Sequence, residues 1–233
     1  MMAVEARRVT RYFGVYAALR QATFSVEQGA CMALLGRNGA GKTTLLRLLA
    51  GLNAPSEGSL TVFGADPAQP QTRRAIGFLG HGSGLYDELS AEENLALAAR
   101  IARIPDARSV VRRWLHRVHL DRVAGNRPHE YSRGMRQRLA LARVLIGGPR
   151  LLLLDEPLTA LDDRATHMVR SLLEEAIADG ATLLMSTHHL SEGMQLASRV
   201  LLLDRGSVAY CGERTPAMLA DPASVYQLCG ERA

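Results

Sequence analysis

Five apolar residues, Cys31-Met32-Ala33-Leu34-Leu35, run directly into Gly36-Arg37-Asn38-Gly39-Ala40-Gly41-Lys42-Thr43. The first stretch is short enough for a buried strand. The second fits the pattern G-x-x-x-x-G-K-S/T without a gap. Thr44 to Ala50 then offers good helix formers and stops at Gly51. Strand, glycine loop and helix, in that order, are the context such a motif requires. Gly36, Gly39 and Gly41 lack a Cβ, so the backbone can enter positive φ and turn successive N–H groups inward. Those donors and the positive end of the next helix cradle a polyphosphate. Lys42 brings its charge to the β- and γ-phosphates, and Thr43 offers a hydroxyl to Mg²⁺. With Arg37, Asn38, Ala40 and Thr44, these residues form the expected binding stretch for a nucleoside triphosphate.

Composition narrows the setting. The chain has 233 residues, enough for one large or two small domains. Its net charge of +5 admits anionic partners: nucleotide, acidic lipid headgroups or nucleic acid. Much of the excess is arginine between Arg100 and Arg117, a pattern that reads as a solvated helix face. The longest apolar runs, such as Leu151–Leu154 and Val200–Leu203, are far too short to cross a bilayer. No N-terminal segment pairs a basic start with an apolar run and a small-residue cleavage site. Cys31, Cys211 and Cys229 are scattered and lack metal-ligand spacing, and Cys31 reads as a small core hydrophobe. A cytosolic, reduced chain without its own membrane anchor is expected.

Val4–Val9 and Ala22–Val26 alternate and predict strands of a small antiparallel layer, and Ser59–Val62 predicts another strand between Gly58 and Gly64. From about Glu92 to Gly148 the pattern turns helical and charged. It suggests helices over Glu92–Arg103 and Ala107–Val118, and a third starting near Ser132. Strand signals return at Leu151–Leu154, Thr182–Ser186, Val200–Leu203 and Ser207–Cys211, with a helical stretch over Arg164–Asp179. Alternation of strand and helix implies a parallel sheet with helices on its faces. The expected fold is therefore an α/β core around the phosphate loop, with an N-terminal antiparallel β layer and an inserted helical subdomain, an arrangement that resembles RecA-like P-loop NTPases. In this reading 1–233 is one domain. Residues 1–81 and 149–233 form the core, and 82–148 the helical insertion.

Two further stretches carry chemistry. Leu151-Leu152-Leu153-Leu154 ends in Asp155-Glu156-Pro157. A strand buried on both faces reads as a continuous apolar run, and ligands sit at its C-terminal end. Asp155 is placed to hold Mg²⁺, largely through water, and Glu156 to polarise an attacking water as general base. Tyr131-Ser132-Arg133-Gly134-Met135 precedes a helical run over Leu139–Ile146. Ser132 is a natural N-cap there, before a helix end that can bind an anion.

This arrangement resembles ATP-binding cassette ATPases over nearly the whole chain. Tyr131–Met135 looks like a variant of their signature Leu-Ser-Gly-Gly-Gln, and Arg136–Arg143 continues as that family does. Thr159-Ala160-Leu161-Asp162 corresponds to their D-loop, and Ser186-Thr187-His188 to the switch histidine. Phe13 sits where the family stacks an aromatic ring on adenine, with Tyr12 and Tyr16 as alternatives. The resemblance implies a head-to-tail dimer with a second copy of the chain. ATP is then sandwiched between Lys42 of one copy and Ser132 and Gly134 of the other, with Asp162 of the D-loop among the nucleotide-binding residues. In this reading the signature helix cannot reach the phosphate loop of its own chain. It also implies Mg²⁺-dependent hydrolysis in which His188 contacts the γ-phosphate. Separate permease subunits would hold the chain peripherally at the cytoplasmic face of the inner (plasma) membrane.

Departures from the family pattern carry a finer resemblance. His81 stands where most cassette ATPases have a glutamine touching Mg²⁺ and the attacking water, and its charge can vary near neutral pH. Arg133 and Met135 replace glycine and glutamine of the signature, which puts a side chain and a charge beside the second ATP site. Leu79-Gly80-His81 together with Ser132–Arg138 looks like the ATP-binding subunit of the haem exporter in cytochrome c maturation. Another exporter is the alternative. A soluble cassette ATPase acting on DNA or ribosomes is disfavoured, because no coiled coil, zinc module or second cassette is present. No direct nucleic-acid partner is expected.

Overall fold

The computed structural model describes residues 1–188 and 190–229. The chain opens with a hairpin of two long strands, β1 (Met2–Phe13) and β2 (Tyr16–Glu27), and continues into β3 (Cys31–Leu35) and helix α1 (Lys42–Leu49). Strand β4 (Glu57–Val62) returns to pair with β1, giving a three-stranded antiparallel sheet in the order β2-β1-β4. A short helix α2 (Pro70–Arg74) leads to β5 (Ile76–Leu79). Helices α3 (Ala91–Ile101), α4 (Ala107–Arg117) and α5 (Arg133–Leu145) follow as one helical block. The remainder runs β6 (Leu151–Asp155), α6 (Asp163–Ala178), β7 (Thr182–Ser186), α7 (Leu190–Leu196), β8 (Arg199–Asp204), β9 (Ser207–Glu213) and α8 (Pro216–Ala220).

The main sheet has six strands in the order β5-β6-β7-β3-β8-β9. Every residue of β3, β6 and β7 is buried. Successive side chains nevertheless go to opposite faces, as the two-residue period of a strand requires. Cys31, Ala33 and Leu35 join one core with Leu152, Leu154, Leu183 and Met185, against the helices α3 to α6. Met32 and Leu34 join the other with Leu151, Leu153 and Leu184, against α1 and the antiparallel layer. A five-residue strand with apolar residues at all positions is what two covered faces demand. The expected α/β architecture with its N-terminal β layer is the one observed.

Several elements differ from expectation for identifiable reasons. The first two strands extend well past the alternating stretches. Pairing of β1 with β2 shifts register between Ala6 and Val9, and Arg8 takes φ 51°. This bulge interrupts the two-residue period and hides the strand's continuation from sequence. Strand β9 is antiparallel to β8, not another parallel member. A two-residue turn joins them, Arg205 (φ 46°) and Gly206 (φ 86°), and such a link reverses the chain. β5 had no strand signal because Gly77 interrupts it. It pairs only with β6, at the sheet edge.

α3 starts one residue earlier than expected, at a capping box in which Ser90 and Glu93 exchange hydrogen bonds. The C-terminal ends of β3, β6 and β7 lie side by side. Their following loops therefore converge on one edge of the sheet.

Candidate functional site

The loop between β3 and α1 is held in a shape that only glycine permits at two positions. Gly36 takes φ 148°, and a Cβ there would stand 2.5 Å from the carbonyl oxygen of Leu203. Gly41 takes φ 104°, and its Cβ would meet the carbonyl oxygen of Ala18 at 2.6 Å. The loop is thus wedged between β2 and the end of β8. Lys42 Nζ donates to Gly36 O at 2.7 Å and to Arg37 O at 3.3 Å, curling the side chain back over the loop. Burial lowers the Lys42 pKa from its ordinary value, while Glu156 and Asp155 act in the opposite direction. Of the 28 basic side chains, Lys42 is the only lysine.

Asp155 ends β6 at 4% exposure, with both carboxylate oxygens engaged. Thr43 Oγ1 donates to Oδ2 at 2.7 Å, and the fully buried Ser186 Oγ donates to Oδ1. Two hydroxyl donors thus replace water that a buried carboxylate gives up. Glu156 follows with φ 57°, and its N–H donates to Ser186 O at 3.1 Å. The Glu156 carboxylate meets His188 through Nδ1 at 2.5 Å and accepts from the His188 backbone N–H at 3.2 Å. The loops after β3, β6 and β7 therefore bring Lys42, Thr43, Asp155, Glu156 and His188 into one place.

These groups line a cleft of about 940 Å³. Asn38, Gly39, Ala40, Gly41 and Thr44 line the same cleft, whereas Gly36 and the exposed Arg37 contribute through the carbonyls that hold Lys42. Phe13 and Tyr16, at the tip of the β1–β2 hairpin, form its outer rim with rings 48% and 57% exposed. Arg11 stacks on Phe13 at 4.9 Å. Tyr12 points to the opposite side, into a groove with Arg20 and Tyr210, because adjacent strand residues alternate. That placement removes Tyr12 as a ring able to reach this cleft. His81 is exposed and lines the cleft with Ser83. The segment beyond it is tied to α3 by Asn94, which bonds the N–H and C=O of Tyr86, and to α5 by an Asp87–Arg136 pair at 2.9 Å.

Ser132, Gly134 and Asp162 lie elsewhere, in a separate depression of about 600 Å³ that also holds His119 and Arg138. Ser132 caps α5 by accepting from Met135 N, and Asp162 caps α6 by accepting from Ala165 N at 2.7 Å. Gly134 faces Ala160 O, which a Cβ would approach to 3.1 Å. Ser132 and Gly134 do not line the cleft of Lys42 and Glu156. The rest of α5 departs from the expectation that this helix cannot reach the phosphate loop of its own chain. Arg133 lines both depressions, and Arg136 and Gln137 line the phosphate-loop cleft of their own chain. The helix runs along the wall between the two, so side chains from one turn reach both. Arg136, Gln137 and Ser186 had no assigned role in the sequence. Ser186 carried a signal, a polar residue closing an otherwise largely apolar strand, whereas Arg136 and Gln137 sit in a polar run and carried none.

The family profile described as ABC transporter matches residues 19–159, well over half of the chain. The chain belongs to the ABC transporter family. The cassette is 36% identical over 209 residues to the Nod factor export ATP-binding protein I of Rhizobium johnstonii, covering 88% of this chain and 67% of that protein. It is 36% identical over 241 residues to the sulfate/thiosulfate import ATP-binding protein CysA of Pectobacterium atrosepticum, covering 99% and 72%. It is 37% identical over 217 residues to the putrescine transport ATP-binding protein PotG of Escherichia coli, covering 90% and 57%. The chain thus spans between 57% and 72% of the length of these three relatives.

Among solved structures, the ATP-binding subunit of an ABC transporter superposes with a TM-score of 0.85 at 29% identity, covering 98% of this chain and 95% of that one. A dimeric, post-hydrolysis state of the ATP-binding cassette MJ0796, bound to ADP and Pi, superposes with a TM-score of 0.83 at 27% identity, covering 91% and 99%. This ABC transporter chain has no helix, among its described residues, long and apolar enough to cross a membrane.

Proposed function

We propose that this cassette is the Mg²⁺-dependent ATP-hydrolysing subunit of a membrane transporter. The observation that carries the reading is the convergence of three loops. They set Thr43 Oγ1 against Asp155 at 2.7 Å, with Lys42 and Glu156 lining the same cleft. The loop N–H groups and Lys42 bind the β- and γ-phosphates, which requires the Lys42 amine to leave the carbonyls of Gly36 and Arg37. Phe13 or Tyr16 stacks on the base.

Thr43 and Asp155 fit Mg²⁺. The ion takes few protein oxygens and completes its shell from phosphates and water. No cluster of three or more His, Cys, Asp or Glu side chains suited to a metal occurs among the described residues. When bound, Mg²⁺ supplies charge on the β- and γ-phosphate oxygens. Glu156 accepts the proton of the attacking water at its carboxylate, held in orientation by His188. In this reading His188 also contacts the γ-phosphate, and His81, which lines the same cleft, bonds the same water.

In this reading residues 1–81 and 149–233 are the nucleotide core and 82–148 the helical arm of one domain. A second copy supplies Ser132, Gly134 and the Asp162 loop head to tail. Separate permease subunits hold the pair at the cytoplasmic face of the inner membrane. Lys42→Ala should abolish phosphate release, and Glu156→Gln should retain ATP in a dimer seen by size-exclusion chromatography. Full activity in both variants refutes the assignment.

The cargo reading is haem export in cytochrome c maturation, supported by Leu79-Gly80-His81 and the Ser132–Arg138 run. A second reading is the ATPase of another exporter; the 36% identity to a Nod factor export protein is matched by the 36% identity to a sulfate/thiosulfate import protein, so it does not by itself set the direction. Tagging the chain, solubilising native membranes gently and identifying the co-purified permease by mass spectrometry separates the two. Cytochrome c maturation subunits support the first, and any other permease discards it.

A further inference from the structure

The turn that carries Glu156 is pinned from two sides. On one side its N–H donates to the carbonyl oxygen of Ser186 at 3.1 Å, and Ser186 Oγ lies 3.2 Å away, which ties the turn to β7. On the other side a single amide holds two successive carbonyls. Gln137 Nε2 donates to Pro157 O at 2.9 Å and reaches Glu156 O at 3.4 Å. Glu156 sits at φ 57°, a left-handed conformation that costs a residue with a side chain about 1–3 kcal/mol and persists only where the surroundings impose it. The Thr159 N–H also donates to Glu156 O at 3.3 Å, and Gln137 is the contact that comes from α5.

The place of Gln137 along α5 gives this contact its meaning. It lies five residues after Ser132 and three after Gly134, an axial distance of roughly 5–8 Å at the rise of an α-helix. Ser132 and Gly134 face the depression at the start of α5, and Gln137 faces the cleft of Lys42 and Glu156. A helix held by its backbone hydrogen bonds moves as one body. Any displacement of its first turn therefore reaches the carbonyls of Glu156 and Pro157 through one side chain.

We propose that Gln137 is a positioning residue that couples occupancy of the depression at Ser132 and Gly134 to the orientation of the Glu156 carboxylate in the same chain. The inference rests on the functional reading above, in which that depression receives the nucleotide of a second copy. Engagement of the nucleotide bound by one copy then sets the base that acts on the nucleotide bound by the other. What the site needs from Gln137 is its two N–H donors rather than its volume. Methionine keeps the length of the side chain and has no donor.

The test uses the full chain with ATP, comparing wild type with Gln137→Met and Gln137→Ala. Steady-state phosphate release against ATP concentration gives kcat, KM and the Hill coefficient, and equilibrium titration gives ATP affinity. In both variants kcat should fall about tenfold or more, ATP affinity should stay within about twofold, and the Hill coefficient should drop to about 1. In the Glu156→Gln background, Gln137→Met should still form the ATP-dependent dimer. Gln137→Met with wild-type kcat or a wild-type Hill coefficient overturns the proposal. Loss of the dimer in the Glu156→Gln background also overturns it, since Gln137 would then act in assembly. A wild-type chain that neither hydrolyses ATP nor dimerises refutes the functional reading, and this inference with it.

Discussion

Replacing Gly41 by alanine tests whether the phosphate loop is held by its neighbours or only by its own conformational preference. Two costs add at this position. The first is the left-handed backbone, φ 104°, which disfavours any residue with a Cβ by about 1–2 kcal/mol. The second is contact. The new methyl would lie 2.6 Å from Ala18 O and 2.9 Å from Leu19 Cδ2. Ala18 and Leu19 belong to β2, which is paired along its length with β1, and Leu19 is fully buried. A backbone oxygen in a paired strand cannot swing aside, so the loop must move or the sheet must distort, at about 1–3 kcal/mol.

Gly39 provides the control. It also has positive φ, 80°, but a Cβ there meets no heavy atom within 4 Å, so Gly39→Ala bears only the first cost. The variants should therefore differ by about 1–3 kcal/mol in urea unfolding, or by a five- to hundredfold loss of ATP affinity if the loop yields instead. Urea titration and calorimetric ATP binding on both variants read the two possibilities directly. If Gly41→Ala matches Gly39→Ala within about 0.5 kcal/mol on both measures, the packing argument is wrong.

Further outcomes are open to measurement. Ser186→Ala removes the donor to a buried oxygen of Asp155 and should cost about 1–3 kcal/mol in urea unfolding together with a fall in hydrolysis; wild-type values for both would refute the role given to Ser186. Burial raises the Cys31 thiol from 9.0 to about 12, so it should resist Ellman's reagent at pH 8 in the native chain and react after denaturation. The sign for stability follows from the same shift. The fold favours the protonated thiol, so its contribution is whole below pH 9.0 and is lost as pH rises toward about 12, which alkaline unfolding curves of Cys31→Ala against wild type would show. Lys42→Ala with Glu156→Gln, and Gln137→Met, carry the outcomes stated with their proposals.

The sequence by itself determined the features that one short segment of chain can encode. Glycine spacing and a lysine between strand and helix specify the phosphate loop, because the loop's shape depends on local φ and the absence of Cβ atoms. Apolar runs at β3, β6 and β7 specify strands covered on both faces, and Ser132 specifies a helix start through a cap that spans three residues. What only the tertiary structure decided are contacts between segments far apart. Thr43 and Asp155 are 112 residues apart, Asp155 and Ser186 are 31 apart, and Gln137 and Pro157 are 20 apart. Strand order brought the first two pairs together. The path of α5 along the cleft wall brought the third, and it placed Arg133 and Arg136 on the chain's own site. That Phe13 and Tyr16 line the cleft and Tyr12 does not likewise depended on which side of a paired strand faces it. Local propensity carries no record of pairing, because the hydrogen bonds that fix it form only when distant strands meet.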